Sequence, residues 1–156
     1  MTMAYAQNTT VSVDKSIAEV KNTLNRYGAT GFGFAETAQR AMVQFRIQDR
    51  VVRLDLTLPD RAEKRFTRTP GGRHTRDAAG ALAAWEQACR QRWRALALVV
   101  KAKLEAVDAG ISTIEKEFFA DVLLPGGMTV YEQIAEQIDE SYASGKMPAL
   151  IGFERP

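Results

Sequence analysis

Eight apolar residues recur at three- and four-residue spacing between positions 82 and 107, and this stripe constrains the fold more than any other feature. Its members are Leu82, Trp85, Cys89, Trp93, Leu96, Val100, Leu104 and Val107. Residues at this spacing share one face of a helix, so the pattern predicts a helix from about Asp77 to Val107. A helix with a long apolar face must bury that face against a second layer.

A change of period from 3.6 to 2 predicts what the second layer is. Phe32 and Phe34 alternate with small residues, and two further runs, 41–47 and 52–58, alternate apolar with polar residues. These runs are typical of strands that bury one face. A tight turn at Asp49 and Arg50 would place Ile47 opposite Val52, Phe45 opposite Leu54 and Val43 opposite Leu56, so that the apolar faces coincide.

Shorter patterns complete the expected order. A helix is predicted from about Val13 to Tyr27, with Ser12 or Asp14 at its start and Gly28 at its end. A helix over about 112–120, a short strand over 122–124 and a helix over 130–142 follow, and Thr129 with Glu132 has capping-box spacing. Residues 1–10 and 143–156 show no pattern, so we expect a flexible N-terminus over 1–10 and an irregular tail over 143–156. We therefore expect one α+β domain over residues 1–156, in which a three-stranded antiparallel meander of α-β-β-β-α order is covered by the long helix, with extra C-terminal helices.

Residues 60–76 separate the third strand from the long helix. The segment is polar, contains a Pro-Gly-Gly turn and is long for a connection in a compact domain. Loops of this length are often functional, so we expect a long basic loop here that orders on binding an anionic partner.

Charge is distributed unevenly along the chain although its net value is only +2. Residues 61–104 carry eleven basic and three acidic side chains, a net charge of +8, whereas residues 105–156 carry three basic and ten acidic, a net charge of −7. This division predicts a basic surface that could meet an anion and an acidic surface elsewhere, unless the two segments pack together and cancel.

Few residues are suited to catalysis. His74 is the only histidine and Cys89 the only cysteine, and Cys89 lies on the apolar stripe of the long helix, where a core role is expected. The chain contains no phosphate-binding glycine motif and too few ligands for zinc. We therefore expect a non-enzymatic protein without catalytic residues, metal or cofactor. The single cysteine and the lack of a long apolar run favour a cytoplasmic protein without membrane contact.

The basic segment holds the candidate nucleic-acid-binding residues. Arginines can contact phosphates in bidentate fashion, and an interleaved aromatic ring could stack on a base. The candidates are Arg61, Lys64, Arg65, Phe66, Arg68, Arg73, Arg76, Arg90, Arg94 and Lys101. The alternative is a basic rim that only solubilises the protein.

Two stretches resemble a family of small uncharacterised bacteriophage and prophage proteins. They are Arg26 to Phe32, RYGATGF, and Ala84 to Leu98, AWEQACRQRWRALAL. The resemblance covers most of residues 10–130 and implies a phage accessory protein in the cytoplasm of a bacterial host. Such a protein would associate with DNA, RNA or a host protein, because small accessory phage proteins commonly do so.

Two functional hypotheses follow. The first is a nucleic-acid-associated accessory protein that contacts phosphates through the basic loop and the long helix. The second is a protein-binding module that modifies or inhibits a host factor. It would act through the predicted helix over 130–142, whose polar face is acidic, or through the basic loop. The sequence leaves the identity of the polymer and a homo-oligomeric state open.

Overall fold

The computed structural model describes residues 6–147 and shows an α+β architecture, as expected. The sheet has three antiparallel strands in the order β1-β2-β3, with helices before and after it. The elements are α1 (Val13–Arg26), β1 (Thr30–Glu36), β2 (Arg40–Ile47), β3 (Arg50–Thr57), α2 (Lys64–Thr67), α3 (Ala78–Asp108), α4 (Ile114–Phe118), a 3-10 turn (Phe119–Asp121) and α5 (Val130–Ser144).

Local capping explains where the helices begin and end. The side chain of Ser12 accepts a hydrogen bond from the Lys15 backbone N–H and caps α1. Gly28, with a φ of +85°, takes the left-handed conformation just after α1. Thr129 and Glu132 form the predicted capping box at the start of α5.

The core lies between one face of the sheet and the helices α1 and α3. Trp93 lies at its centre, fully buried, with its ring centroid 5.4 Å from that of Phe34 in β1. Phe45 of β2 meets Phe118 of α4 edge to face at 5.6 Å. The other fully buried apolar side chains are Val20 and Leu24 of α1, Val43 and Val52 of the sheet, and Val100 and Leu104 of α3.

The apolar stripe of α3 is buried unevenly. Trp93, Val100 and Leu104 are fully buried, whereas Trp85 and Leu96 are only partly buried and pack against the edge of the core. Leu82, at the beginning of the stripe, is 42% exposed. The helix has 31 residues, about 46 Å at 1.5 Å per residue, and Leu82 near its beginning lies outside the core cluster.

The register predicted for the β2-β3 hairpin was wrong by two residues. The turn lies at Gln48 and Asp49, and Phe45 pairs with Val52, Val43 with Leu54 and Ala41 with Leu56. Both turn residues have positive φ, +46° and +60°, as a two-residue turn of type I′ requires. Asp49 takes a left-handed position in either register, so the two turns differ in whether Gln48 or Arg50 shares it. Because side chains alternate with a period of 2, the shift leaves Phe45 and Leu54 on the same buried face.

The predicted strand over 122–124 is present as isolated bridges. Val122 pairs antiparallel with Val52, and the Leu123 N–H donates to the Val51 carbonyl at 2.8 Å. A further bridge joins Leu123 to Thr129, directly before α5. This short segment covers the outer edge of β3 and fixes where α5 begins.

Glycine substitutions can test the observed turn. Gln48→Gly should raise the free energy of unfolding by up to about 1 kcal/mol, because glycine removes the steric cost of a positive φ. Arg50→Gly should lower it by roughly 0.5–1 kcal/mol, because Arg50 lies in a strand. Urea denaturation measures both changes. A loss of stability for Gln48→Gly and a gain for Arg50→Gly would instead support the register with the turn at Asp49 and Arg50.

Two residues on the stripe of α3 should differ in their contribution to stability. Trp93→Ala removes a fully buried ring and should lower the free energy of unfolding by about 3–5 kcal/mol. Leu82→Ala, on the same helix but 42% exposed, should cost about 1 kcal/mol or less. Equal losses in thermal or urea unfolding would contradict the central position of Trp93.

Candidate nucleic-acid interface

Residues 60–76 are not an irregular loop. They contain the short helix α2 and then a small hairpin, residues 67–76, which we call the basic hairpin. The Arg76 N–H donates to the Thr67 carbonyl at 2.8 Å, and the Thr69 N–H donates to the His74 carbonyl at 2.9 Å. Gly72, with a φ of +68°, lies in the tip of the hairpin. Hydrogen bonds within the segment therefore give this stretch a defined shape, which the polar composition did not predict.

The basic hairpin presents cations that form no ion pair among the described residues, although Asp77, the N-cap of α3, directly follows Arg76. Arg68, Arg73 and His74 are exposed and Arg76 is partly exposed. The hairpin contains no acidic residue, and none of its three arginines forms an ion pair within residues 6–147. Arg68 does donate a hydrogen bond to the Gly72 carbonyl at 3.4 Å. Desolvating these guanidinium groups against phosphates would break no ion pair of the described chain.

Three more candidates lie on α2 or in the segment just before it. The Arg61 guanidinium lies 4.0 Å from the centroid of the Trp85 ring. Lys64 is exposed on α2, which packs against α3. Arg65 is exposed but bonded to Glu63 at 2.6 Å, so its charge is already partly compensated.

Phe66 does not belong to a binding surface. Its side chain is 4% exposed and lies in α2, which contacts α3. The prediction that this ring stacks on a base was therefore wrong, because a buried ring cannot reach one. Sequence reasoning missed this because α2 is too short for a helical apolar pattern, and a single aromatic residue among cations gives no sign of which side it faces.

The remaining candidates lie on the other flank of α3. Arg94 forms an ion pair with Glu19 of α1, and Arg90 donates to the Gln87 side chain at 2.6 and 3.0 Å. Lys101 lines a cleft of about 340 Å³ that also contains Glu105 and Asp108. The structure therefore does not bring these three together with the hairpin.

Arg92 was not among the predicted site residues, yet it lies close to them. Arg92 and Arg65 line the same cavity of about 610 Å³, and most of its other lining residues belong to α3. Arg92 is exposed and has no ion pair among the described residues. Its position on the flank of the helix opposite Arg94 was visible in the sequence, but which flank faces α2 was not.

The basic and acidic segments do not cancel each other. Of the ion pairs within residues 6–147, only Lys103 with Glu117, 3.7 Å apart, joins residues 61–104 to residues 105–147. Lys103 follows Trp85 by eighteen residues, about 27 Å along α3. The two charged segments therefore meet near one end of α3, and most of the basic side chains lie nearer to its other end.

The acidic segment is held to the sheet by Arg53 of β3. Its guanidinium donates to Asp55 at 2.9 Å, to Glu132 at 2.5 Å and to the Gly127 carbonyl at 3.2 Å. A backbone hydrogen bond from Thr129, together with Arg53, holds the pKa of Glu132 below its usual value. The polar sheet face thus serves as the attachment point of α5.

The isolated Cys89 and His74 take the places expected from the sequence. Cys89 is buried in the core, and burial raises the pKa of its thiol, which disfavours the nucleophilic thiolate. His74 lies exposed on the basic hairpin. Within residues 6–147, no three histidine, cysteine or acidic side chains are grouped so that they could hold a metal ion. No helix among these residues has the length and apolar character needed to cross a membrane.

No protein-family model, no curated protein and no solved structure matches this chain. The resemblance to small phage proteins therefore stays a prediction.

The attachment of α5 should depend on pH through Glu132. Because the folded-state pKa of Glu132 lies below its usual 4.5, its contribution to stability is present above that pH and is lost as the pH falls through the lowered value. Glu132→Gln should therefore lower the melting temperature at neutral pH, and the difference from wild type should disappear in acid. Glu136→Gln, on the exposed side of the same helix, is the control and should leave the pH profile unchanged.

Proposed function

We propose that this protein is a non-enzymatic, nucleic-acid-associated accessory protein of phage type that contacts phosphates through the basic hairpin. The observation that carries the proposal is a hydrogen-bonded ten-residue hairpin with three arginines, no acidic residue and no ion pair within the described chain. The phosphate backbone of a nucleic acid binds such an array of cations favourably, because each neutralised phosphate releases condensed counterions.

Further exposed cations lie just before α2, on α2 and on α3, and Arg61 lines a cleft together with Glu36 and Asp60. Arg61, Lys64 and Arg92 lie on the segment before α2, on α2 itself and on the adjoining part of α3. Arginine predominates here, and its planar guanidinium group suits bidentate contact with phosphate. The surface is exposed and is formed by several separate side chains, which fits contact along a polymer better than capture of one small anion.

Duplex DNA is the first polymer to test. A two-stranded ribbon can enter the major groove of B-DNA, whereas the major groove of A-form RNA is too narrow for side chains to read. Because the arginines would contact phosphates, we expect weak dependence on base sequence and strong dependence on salt.

The slope of affinity against salt measures the contribution of the hairpin. Replacing Arg68, Arg73 and Arg76 together by alanine should reduce the slope of log affinity against log salt on duplex DNA by about 2.7, or 0.9 for each phosphate that is no longer neutralised. Fluorescence anisotropy with labelled duplex and single strands over a salt series gives this slope. Folding should change little, because these side chains form no ion pair within the described chain.

A matched triple variant separates a local effect of the hairpin from an effect of net charge. Lys15, Arg40 and Lys116 are exposed cations on α1, β2 and α4, and their replacement by alanine removes the same charge from other elements. This control should keep the wild-type slope. Equal effects of the two triples, or no wild-type binding to any DNA or RNA at low salt, would refute the proposal.

A further inference from the structure

An apolar groove runs beside α5, in the acidic part of the molecule. Its volume is about 840 Å³. The apolar side chains that line it come from the 3-10 turn, the short bridged segment and the first turns of α5, and they are Phe119, Val122, Leu124, Pro125, Val130 and Ile134. Arg50, Glu115 and Gln133 complete the lining. A groove of this size is large enough to hold several side chains of a partner.

The helix that borders the groove has no fully buried side chain, although Val130 and Ile134 are partly buried. None of the fifteen residues of α5 is buried, whereas α1, with fourteen residues, buries four. Tyr131 is 65% exposed, Ile138 is 40% exposed and Tyr142 is 89% exposed. The capping box and Arg53 hold only the beginning of α5, so most of its apolar stripe has no partner within residues 6–147. Apolar surface of this kind marks interaction sites.

The charge around the groove restricts the chemistry of its partner. Residues 112–147 contain seven acidic and two basic side chains. At 100° per residue, Glu136 and Glu140 lie on the same flank of α5 as Gln133, which lines the groove. Both glutamates are exposed and have no ion pair among the described residues. An occupant lying along α5 would therefore meet apolar side chains below it and carboxylates beside it, with Arg50 as the single cation among the described residues that line the groove.

We propose that this groove is the docking site for a basic amphipathic helix of a protein partner. A helix packed along α5 would place residues of its apolar face, one turn apart, into the groove and basic residues against Glu136 and Glu140. Opposite charge at the flank would raise the rate of association and reject acidic partners. This site is separate from the basic hairpin and does not depend on nucleic-acid binding.

A second copy of the chain is the less favourable occupant. A symmetric contact would bring two copies of the same acidic segment together, and each copy has a net charge of −5 over residues 112–147. Like charges at an interface disfavour association. Among the described helices, only α3 combines an apolar stripe with many cations, and it already buries that stripe in its own core.

Model peptides can test the chemistry without knowledge of the natural partner. The probe is a fluorescein-labelled peptide of about 14 leucine and lysine residues in helical spacing, close to the shortest length that forms a helix in water. Its counterpart carries glutamate in place of lysine. We expect the full chain to bind the lysine peptide at least tenfold more tightly at low salt, by fluorescence anisotropy.

Matched variants locate the binding. Phe119 is 59% exposed and lines the groove, and Ile111 is 80% exposed outside it, so Phe119→Ser and Ile111→Ser remove similar exposed apolar surface without opening the core. Phe119→Ser should weaken binding of the lysine peptide by roughly tenfold, as truncation of a central interface residue commonly does. Ile111→Ser should leave it unchanged.

Charge variants test the flank. Glu136→Gln with Glu140→Gln should weaken binding of the lysine peptide by about three- to tenfold at low salt and leave the glutamate peptide unaffected. Glu36→Gln with Glu86→Gln, exposed acids on β1 and α3, should have no effect.

Other outcomes would overturn the proposal. Equal affinity for both peptides, or equal losses in the Phe119 and Ile111 variants, would show nonspecific apolar adhesion. A wild-type dimer in analytical ultracentrifugation that Phe119→Ser dissociates would make a second copy the occupant. If the lysine peptide binds only to a chain truncated after Met147, the protein's own residues 148–156, and not a partner helix, would be the occupant of the groove.

Discussion

Burial of the α3 stripe on the sheet is the interaction on which the remaining structure depends. Three strands with one apolar face are only marginally stable in water by themselves, and a helix with an apolar stripe needs a second layer to cover that stripe. Trp93, buried where the two layers meet, packs against Phe34 of β1, while α1 closes the side of the same core. Because α3 is longer than the sheet is wide, it also positions elements that lie outside this core.

The length of α3 keeps two surfaces of opposite charge apart. The basic hairpin directly precedes α3, α2 packs against α3, and α4 follows its C-terminal end. Only Lys103 and Glu117 join the two charged segments within the described residues. At physiological salt, interactions between exposed charges are screened over about 8 Å, so the two surfaces can act independently. The net charge of +2 is therefore the sum of a basic segment and an acidic segment whose surfaces lie apart.

Sequence patterns predicted the long helices and strands correctly. They failed where the outcome depended on the orientation of a single residue. The alternation in β2 and β3 assigned every apolar residue to the correct face, but alternation cannot distinguish two registers that differ by two residues, and the turn lies at Gln48 and Asp49. In residues 60–76 no period exists, so neither α2 nor the hairpin was expected. Phe66 was assigned to a binding surface because its burial depends on α3, a partner that no local pattern in this segment reveals.

The sequence by itself determined which elements form, because amphipathic period, capping residues and left-handed glycines act over one or two turns of chain. It also determined that positive and negative charge occupy different segments. Only the tertiary structure decided which cations are available: Arg94 pairs with Glu19 of α1, whereas Arg68, Arg73 and Arg76 have no acidic partner within residues 6–147. It also decided that α5 leaves its apolar stripe uncovered. Both outcomes depend on contacts between segments far apart in the chain, and local pattern carries no information about such contacts.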